Sequence, residues 1–139
     1  MKNYRNKLYL LLLIITLFIG CINPIVSNAK GKNFNGTWVA TKEDSFGRKA
    51  KVVIKKKVIK VYWVTDSSKT LYWYGSWNPK KKKGKYICKS ENNHDKTNLE
   101  LFASGDDYKK FTYKDGIISF KSSMMGTTDT IKVKKKNNK

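Results

Sequence analysis

Cysteine, proline, histidine and acidic residues are all scarce in this sequence. Its 139 residues include two cysteines, two prolines, one histidine and ten Asp+Glu. The single histidine, His94, lies in a polar stretch beside Asp95, and no Ser/His/Asp or Cys/His pattern surrounds it. One histidine with so few other ligands does not predict a zinc site, and Asp106-Asp107 lacks the spacing of a calcium loop. We therefore expect neither an enzyme nor a bound metal or cofactor.

The first 29 residues have the pattern of a signal peptide. A basic start precedes an apolar stretch and then small residues: Lys2, Arg5 and Lys7, residues 8–20, and Ser27-Asn28-Ala29. The apolar stretch is shorter than the roughly 20 residues that cross a bilayer as a helix. We predict a signal peptide over 1–29, cleaved after Ala29, and a single lysine-rich domain over 30–139. The mature protein is expected to be secreted or associated with the cell surface.

A second processing route ends in a lipid anchor. Phe18-Ile19-Gly20-Cys21 is similar to a bacterial lipobox, whose cysteine is acylated and becomes the new N-terminus. Under either route Cys88 has no partner for a disulfide, because Cys21 is removed or acylated. Cys88 follows Tyr86-Ile87, and we expect it to be a small buried apolar residue. Without a disulfide, the domain must depend on its hydrophobic core.

Short β-branched and aromatic stretches alternate with turn residues, whereas helical periodicity is nearly absent. About eight strands follow from this pattern: Thr37–Thr41, Lys51–Lys55, Val58–Thr65, Thr70–Asn78, Lys85–Lys89, Lys109–Tyr113, Ile117–Ser122 and Thr128–Lys134. Consecutive short strands predict an all-β fold, a small antiparallel meander that closes into a barrel, with a two-sheet β-sandwich as the alternative. Leu99–Phe102 fits either one helical turn or a short strand.

Alternation along the strands predicts which side chains face the interior. These are Ile59, Val61, Trp63, Leu71, Trp73, Trp77, Phe111, Ile118, Phe120, Ile131 and Val133, with Trp38 closing one end. Trp38, Trp63 and Trp73 are assigned structural roles, since burying an aromatic of this size contributes roughly 2–3 kcal/mol. Tyr62, Tyr72 and Tyr74 fall on the opposite face. They form either an exposed aromatic stripe that stacks on sugar rings or bases, or cross-strand pairs that stabilise the sheet.

Lysine dominates the charge, since thirty Lys+Arg against ten Asp+Glu give a net charge of +20. The lysines occur in groups at turns and in the tail: Lys55-Lys56-Lys57, Lys80-Lys81-Lys82-Lys83 and Lys134-Lys135-Lys136. In a meander these groups fall at one end of the barrel, while every acid except Asp115 falls at the other. This predicts a lysine-rich end that binds an anionic cell-wall polymer or a membrane surface. The alternative is a solvated surface without a partner.

Nucleic acid is not expected as a partner of this basic chain. The signal peptide predicts export, and lysine supplies nearly all the charge in place of the arginine favoured for reading bases.

Two resemblances bear on fold and location. Gly36-Thr37-Trp38 resembles the G-x-W motif of lipocalin-like barrels, whose tryptophan packs across the closed end, and this implies a structural Trp38. A longer resemblance covers most of residues 50–134: Val61–Asp66, Leu71-Tyr72-Trp73 with Gly75, Lys109–Gly116 and Ser123–Thr128. These segments look like a family of small exported lipoproteins or secreted proteins of Gram-positive bacteria and their phages. The resemblance implies an envelope location and a phage or prophage origin, and no particular activity.

The first functional hypothesis is therefore a non-catalytic, envelope-associated β-barrel that its lysines hold on anionic polymer or lipid. The alternative is a lipocalin-like carrier of a small apolar ligand, which requires an open apolar cavity of at least about 300 Å³. No oligomeric state follows from the sequence.

Overall fold

Nine strands and one short helix make up residues 31–137, the part of the chain that the computed structural model describes. The strands are β1 (Gly36–Ala40), β2 (Lys49–Lys55), β3 (Val58–Val64), β4 (Lys69–Ser76), β5 (Lys80–Lys82), β6 (Lys85–Glu91), β7 (Tyr108–Lys114), β8 (Ile117–Met124) and β9 (Thr127–Lys135). The helix α1 (His94–Thr97) lies between β6 and β7. Residues 33–137 belong to one compact unit. The predicted signal peptide, with Cys21, falls outside the described residues.

All nine strands belong to one antiparallel sheet in the order β4-β3-β2-β1-β9-β8-β7-β6-β5. Neighbours in sequence pair with each other except β4 and β5, and β9 returns to pair with β1. The predicted all-β meander is confirmed. The sheet curls on itself as a barrel does, so the described fold has one sheet where a sandwich would have two.

Isolated hydrogen bonds connect β4 with β6, where no continuous ladder forms to close the barrel. Gly75 and Asn92 make an isolated antiparallel bridge. The indole of Trp73 donates to Ser90 Oγ at 2.9 Å, which links the same two strands through their side chains. Gly75 allows this closeness, because a Cβ there would lie only 2.6 Å from the carbonyl oxygen of Glu91.

The structure has one strand more than the eight that the sequence predicts. The additional strand is β5, where the sequence predicts a connection at Lys80–Lys82. These three lysines pair with the start of β6, and Lys82 lies opposite Lys85. The turn between them uses positive φ angles, 48° at Lys83 and 76° at Gly84, as a two-residue hairpin turn requires. The strand therefore owes its existence to the hairpin, since its side chains are all exposed and carry no apolar pattern.

The second uncertain segment, Leu99–Phe102, forms successive turns after α1. The N–H of Glu100 donates to the Thr97 carbonyl at 3.0 Å, and that of Ala103 donates to the Glu100 carbonyl at 3.2 Å. The short-strand alternative is therefore wrong. Leu99 and Leu101 stay almost fully exposed, at 94% and 87%.

The interior contains the side chains that alternation predicts, with one exception. The buried members are Trp38, Ile59, Val61, Trp63, Trp73, Trp77, Phe111, Ile118, Phe120, Ile131 and Val133. Leu71 is the exception, because the β3–β4 register shifts between Val61 and Tyr62. The shift leaves Tyr72 unpaired between Leu71 and Trp73 and turns its ring inward, where it is 5% exposed. A bulge of this kind adds one residue to a strand and changes which side chains face the core.

An aromatic cluster fills one end of the barrel around Phe34, a residue that precedes β1. Its ring contacts those of Trp77, Tyr86 and Tyr113, with centroids 5.1–5.3 Å apart in edge-on geometry. The indole of Trp38 donates to the Phe34 carbonyl at 3.0 Å. Edge-to-face aromatic pairs add to the burial of their rings, so this cluster closes the end where Trp38 was expected.

Candidate functional site

Antiparallel winding brings the lysine groups to the same end of the barrel as the Phe34 cluster. The β2–β3, β5–β6 and β7–β8 turns and the last residues of β9 all lie there, because alternate strands run in opposite directions. We call this the lysine end, defined by Lys55, Lys56, Lys57, Lys80, Lys81, Lys82, Lys83, Lys85, Lys114, Lys134, Lys135 and Lys136. All are exposed except Lys85, which is partly buried. The structure thus brings together all ten lysines that the sequence singles out.

Backbone contacts tie the groups of the lysine end to one another. The N–H of Trp77, just before the Lys80 group, donates to the Lys57 carbonyl at 2.7 Å. The N–H of Lys136 donates to the Thr37 carbonyl at 2.8 Å, which holds the tail against β1. The ammonium of Lys135 lies 5.8 Å from the centre of the Trp38 ring. Lysine groups distant in sequence are therefore held at the same end of the barrel by contacts of their backbone.

Two of these lysines occupy positions that disfavour them locally. Lys56 and Lys83 have φ angles of 57° and 48°. Glycine, asparagine and aspartate adopt this left-handed region more readily than a long side chain does. Met125, an uncharged residue, has the same conformation with a φ of 50°, so the left-handed turn does not by itself explain the choice of lysine.

The lysine end has few compensating acids. Asp115 is the only carboxylate on its turns, and Glu91 and Asp95 line a depression with Lys57. None of the four ion pairs found within residues 31–137 includes a lysine of this end. Unpaired ammonium groups close together raise the local potential and attract anions over about 8 Å at physiological salt.

The opposite end, which we call the upper end, is mixed in charge and not the acidic pole that the sequence suggests. It carries the acids Glu43, Asp44, Asp66, Glu100, Asp106, Asp107 and Asp129, whereas Glu91 and Asp95 lie beside Lys57. It also carries the cations Lys42, Arg48, Lys49, Lys69, Lys89, Lys96, Lys109, Lys110 and Lys121. The charge asymmetry of the barrel therefore comes from the lysine end, since the upper end is close to neutral.

The sequence predicts Tyr62, Tyr72 and Tyr74 on the outer face of the sheet, and this prediction is wrong for Tyr72. Tyr72 faces the interior, where its ring lies 5.0 Å from that of Trp63. Tyr62 and Tyr74 stay partly exposed on the outer face. Lysine ammonium groups cover both rings, Lys69 at 4.2 Å from Tyr62 and Lys60 at 4.9 Å from Tyr74. These two tyrosines thus pair with lysines of their own sheet.

Cys88 is buried in the core, and His94 lies near the surface beside a carboxylate. Cys88 is buried, and burial raises the pKa of its thiol, an effect that the N–H of Asn78 partly offsets from 3.4 Å. A thiol in this setting is unreactive, because the thiolate is the nucleophile. His94 lies 2.9 Å from the carboxylate of Asp107 near the surface. Within the described part of the chain, no three His, Cys, Asp or Glu side chains are grouped as metal ligands.

A cleft at the upper end was not foreseen from the sequence. The β7–β8 ladder stops at Thr112 and Ser119, although β7 begins at Tyr108 and β8 continues to Met124. The two strands separate above that point and open a cavity of about 690 Å³, which we call the upper cleft. Its inner wall includes Trp63, Tyr72, Lys109, Phe120 and Ser122, and residues 101–106 form its outer wall.

Lys109 is the buried lysine of this cleft. Its side chain is 6% exposed, and its ammonium donates to Asp106 Oδ2 at 3.0 Å and to the Lys121 carbonyl at 3.2 Å. The second bond crosses the gap between β7 and β8. Lys109 and Phe111 are two residues apart on β7 and face the same side of the strand, the interior. Alternation along the strand therefore predicts an inward Lys109, although its charged side chain suggests an exposed position.

Comparison with protein-family models, with curated proteins and with solved structures finds no match to this chain. Among residues 31–137, no helix is long and apolar enough to cross a membrane.

Proposed function

We propose that this protein is a non-catalytic component of the Gram-positive cell envelope, held by its lysine end on a phosphate-rich anionic polymer or on anionic lipid head groups. The observation that carries the proposal is the gathering of the lysine groups at one end, where twelve lysines stand against Asp115 on the turns and against Glu91 and Asp95 beside Lys57. The resemblance to small exported proteins of Gram-positive bacteria and their phages supports the same location and a phage or prophage origin.

Lysine suits this kind of attachment. Its ammonium is a compact, strongly hydrated point charge on a flexible stem, whereas arginine suits fixed, paired recognition of one phosphate. Each lysine near an anionic lipid surface contributes up to about 1 kcal/mol, so a group of them binds firmly without a shaped pocket. The partner is therefore defined by its density of negative charge.

The alternative function, carriage of a small apolar ligand, receives less support. The central interior is filled by large side chains, among them Trp73, Trp77 and Phe111, each at most 4% exposed. The upper cleft has cationic side chains in its wall, which an apolar ligand would not pair with.

Salt elution from two surfaces tests the proposal. Purified protein is bound to isolated Gram-positive cell walls with intact anionic polymer, and separately to vesicles containing phosphatidylglycerol. We expect release only at about 0.5–1 M salt, where the screening length falls to about 3–4 Å. Retention on walls but not on vesicles would identify the polymer as the partner, and the reverse would identify the lipid. Release from both surfaces in dilute buffer would contradict the proposal.

A further inference from the structure

The gap between β7 and β8 interrupts the middle of the sheet. Both strands continue to pair with their outer neighbours, since Glu91 of β6 lies opposite Tyr108 and Thr127 of β9 lies opposite Met124. Fraying would loosen those outer pairs as well. Beyond Thr112 and Ser119, the facing edges of β7 and β8 therefore make no ladder hydrogen bonds with each other, although each strand stays paired on its other side. Backbone donors and acceptors along the cleft are left available as a result.

The cleft has the size and mixed lining of a small-molecule site. Its volume of about 690 Å³ lies within the roughly 300–1,000 Å³ of ligand pockets. Trp63, Tyr72 and Phe120 supply aromatic surface in its wall. Lys109 and Ser122 are buried polar side chains on β7 and β8, whereas most inward positions of the strands are apolar and Ser90 of β6 is the other buried polar side chain on a strand.

Basic residues outnumber acids in the lining of the upper cleft, where Lys109, Lys110, Lys121 and Arg48 stand with Asp106. Arg48 is already paired with Asp44 at 2.6 Å, and Lys110 and Lys121 are exposed, so Lys109 is the buried cation of the cleft that a ligand anion could reach. The guanidinium of Arg48 lies 4.2 Å from the centre of the Trp63 ring, so a cation and an aromatic surface are adjacent. Burying a lysine is costly unless its charge is used or compensated.

An unmet hydrogen-bond donor lies in the same wall. Trp63 is 1% exposed, and its Nε1–H has no acceptor among the described residues. The indole N–H of Trp77, at the other end of the barrel, also has no acceptor among the described residues, so this donor adds no separate evidence for a ligand in the cleft.

We infer that the upper cleft binds an amphipathic organic anion, whose aromatic or aliphatic body packs on Trp63, Tyr72 and Phe120 and whose acidic group pairs with Lys109. The acidic group takes the place beside Lys109 that Asp106 now fills, and the Asp106 side chain, 62% exposed, can turn into solvent. This site is independent of the lysine end and of the function proposed for it.

Two fluorescent probes with almost the same aromatic ring system distinguish the contribution of the acidic group to binding from that of the apolar surface. 8-Anilinonaphthalene-1-sulfonate carries an acidic group, and N-phenyl-1-naphthylamine lacks it. We expect the sulfonate to bind the full-length protein more tightly than the neutral amine. Lys109→Met should weaken sulfonate binding by about tenfold or more, as expected for a charge-assisted hydrogen bond, and leave amine binding within about twofold.

Asp106→Asn supplies an opposite and milder test, because it removes the competing carboxylate and keeps a side chain of the same shape in the outer wall of the cleft. It should strengthen sulfonate binding severalfold, and it carries the test if Lys109→Met does not fold. Lys82→Gln with Lys134→Gln is the control for general attraction of anions to the lysine end, and it should change sulfonate affinity by less than about twofold.

Nuclear magnetic resonance of the indole N–H groups locates the ligand. The Trp63 resonance should shift on saturation with the sulfonate, and that of Trp77, at the other end of the barrel, should not. Equal affinity for the two probes, an unchanged sulfonate affinity in Asp106→Asn, or a loss of affinity confined to the lysine-end control would overturn the inference.

Discussion

The indole N–H of Trp73 donates to the Oγ of Ser90 at 2.9 Å, and this bond joins β4 to β6 where the sheet has no continuous ladder. Both residues are 0% exposed. We expect Ser90→Ala to lower the free energy of unfolding by about 1–3 kcal/mol, because the buried N–H is left without an acceptor. Urea unfolding followed by tryptophan fluorescence measures the change. Ser123→Ala, at an exposed position, is the control and should stay within about 0.5 kcal/mol; an equal loss in both variants would show that the bond does not hold the closure.

Gly75 is the position where the closure tolerates no side chain. A Cβ there would collide with Ser90 Oγ and Trp73 Nε1 and lie 2.6 Å from the Glu91 carbonyl oxygen. We expect Gly75→Ala to cost about 3 kcal/mol or more, since backbone and packed side chains must move. Thermal unfolding monitored by circular dichroism measures the loss. Gly105→Ala, where a Cβ meets nothing within 4 Å, is the matched control and should leave the melting temperature nearly unchanged; similar melting of the two variants would contradict the tight contact between β4 and β6.

The sequence predicts most of this fold because alternation is a local property. Ile59, Val61 and Trp63 are buried as their spacing along β3 requires. Tyr72 replaces Leu71 inside because a bulge depends on how two strands pair, and no residue near Val61 marks it. The strand Lys80–Lys82 carries no apolar pattern, so only its hairpin partner defines it.

The candidate sites were predictable to different degrees. The lysine end follows from the order of turns in a meander, which the sequence does indicate. The upper cleft does not, because it arises where the β7–β8 ladder stops after Thr112 and Ser119, a consequence of three-dimensional pairing. The one feature of the sequence that could have indicated the cleft is Lys109, a charged residue on the same face of β7 as buried Phe111.

The Asp44–Arg48 pair predicts how stability depends on pH. Burial by itself would raise the pKa of Asp44, but hydrogen bonds from the Arg48 side chain and from the N–H groups of Arg48 and Phe46, together with the Arg48 charge, hold it below its ordinary value of 3.8. A lowered folded-state pKa stabilises the protein above the ordinary pKa, and this contribution is lost as the pH falls through the folded value. We therefore expect the free energy of unfolding to decline below about pH 4.

Asp44→Asn tests the origin of that decline. The variant should be less stable than the wild type at pH 7 and lose less stability on acidification, as measured by urea unfolding at a series of pH values. Asp66→Asn, in an exposed turn, should keep the wild-type dependence on pH. An unaltered acid slope in Asp44→Asn would rule out this carboxylate as its source.

The mature N-terminus distinguishes the two export routes. Cleavage after Ala29 yields a free chain that begins at Lys30, whereas lipoprotein processing yields an acylated chain that begins at Cys21. We expect the Lys30 chain, because small residues at 27–29 follow the apolar stretch. Intact-protein mass spectrometry of material from the producing cell measures it directly. A mass that includes residues 21–29 and acyl chains would show that a lipid contributes to attachment.

Two variants of equal net charge test the central claim most directly. One replaces lysines of the lysine end by glutamine, K55Q, K57Q, K81Q and K134Q, and the other replaces lysines of the upper end, K42Q, K49Q, K69Q and K96Q. Binding to purified glycerol-phosphate wall polymer is measured by calorimetry at low and physiological salt. If the lysine end holds the protein on the envelope, the first variant loses at least about tenfold in affinity, and the second retains most of its affinity. Tenfold is the loss expected when even one or two contacts of about 1 kcal/mol each are removed. Equal losses in the two variants would show that net charge alone attracts the polymer, and would contradict the assignment of binding to the lysine end.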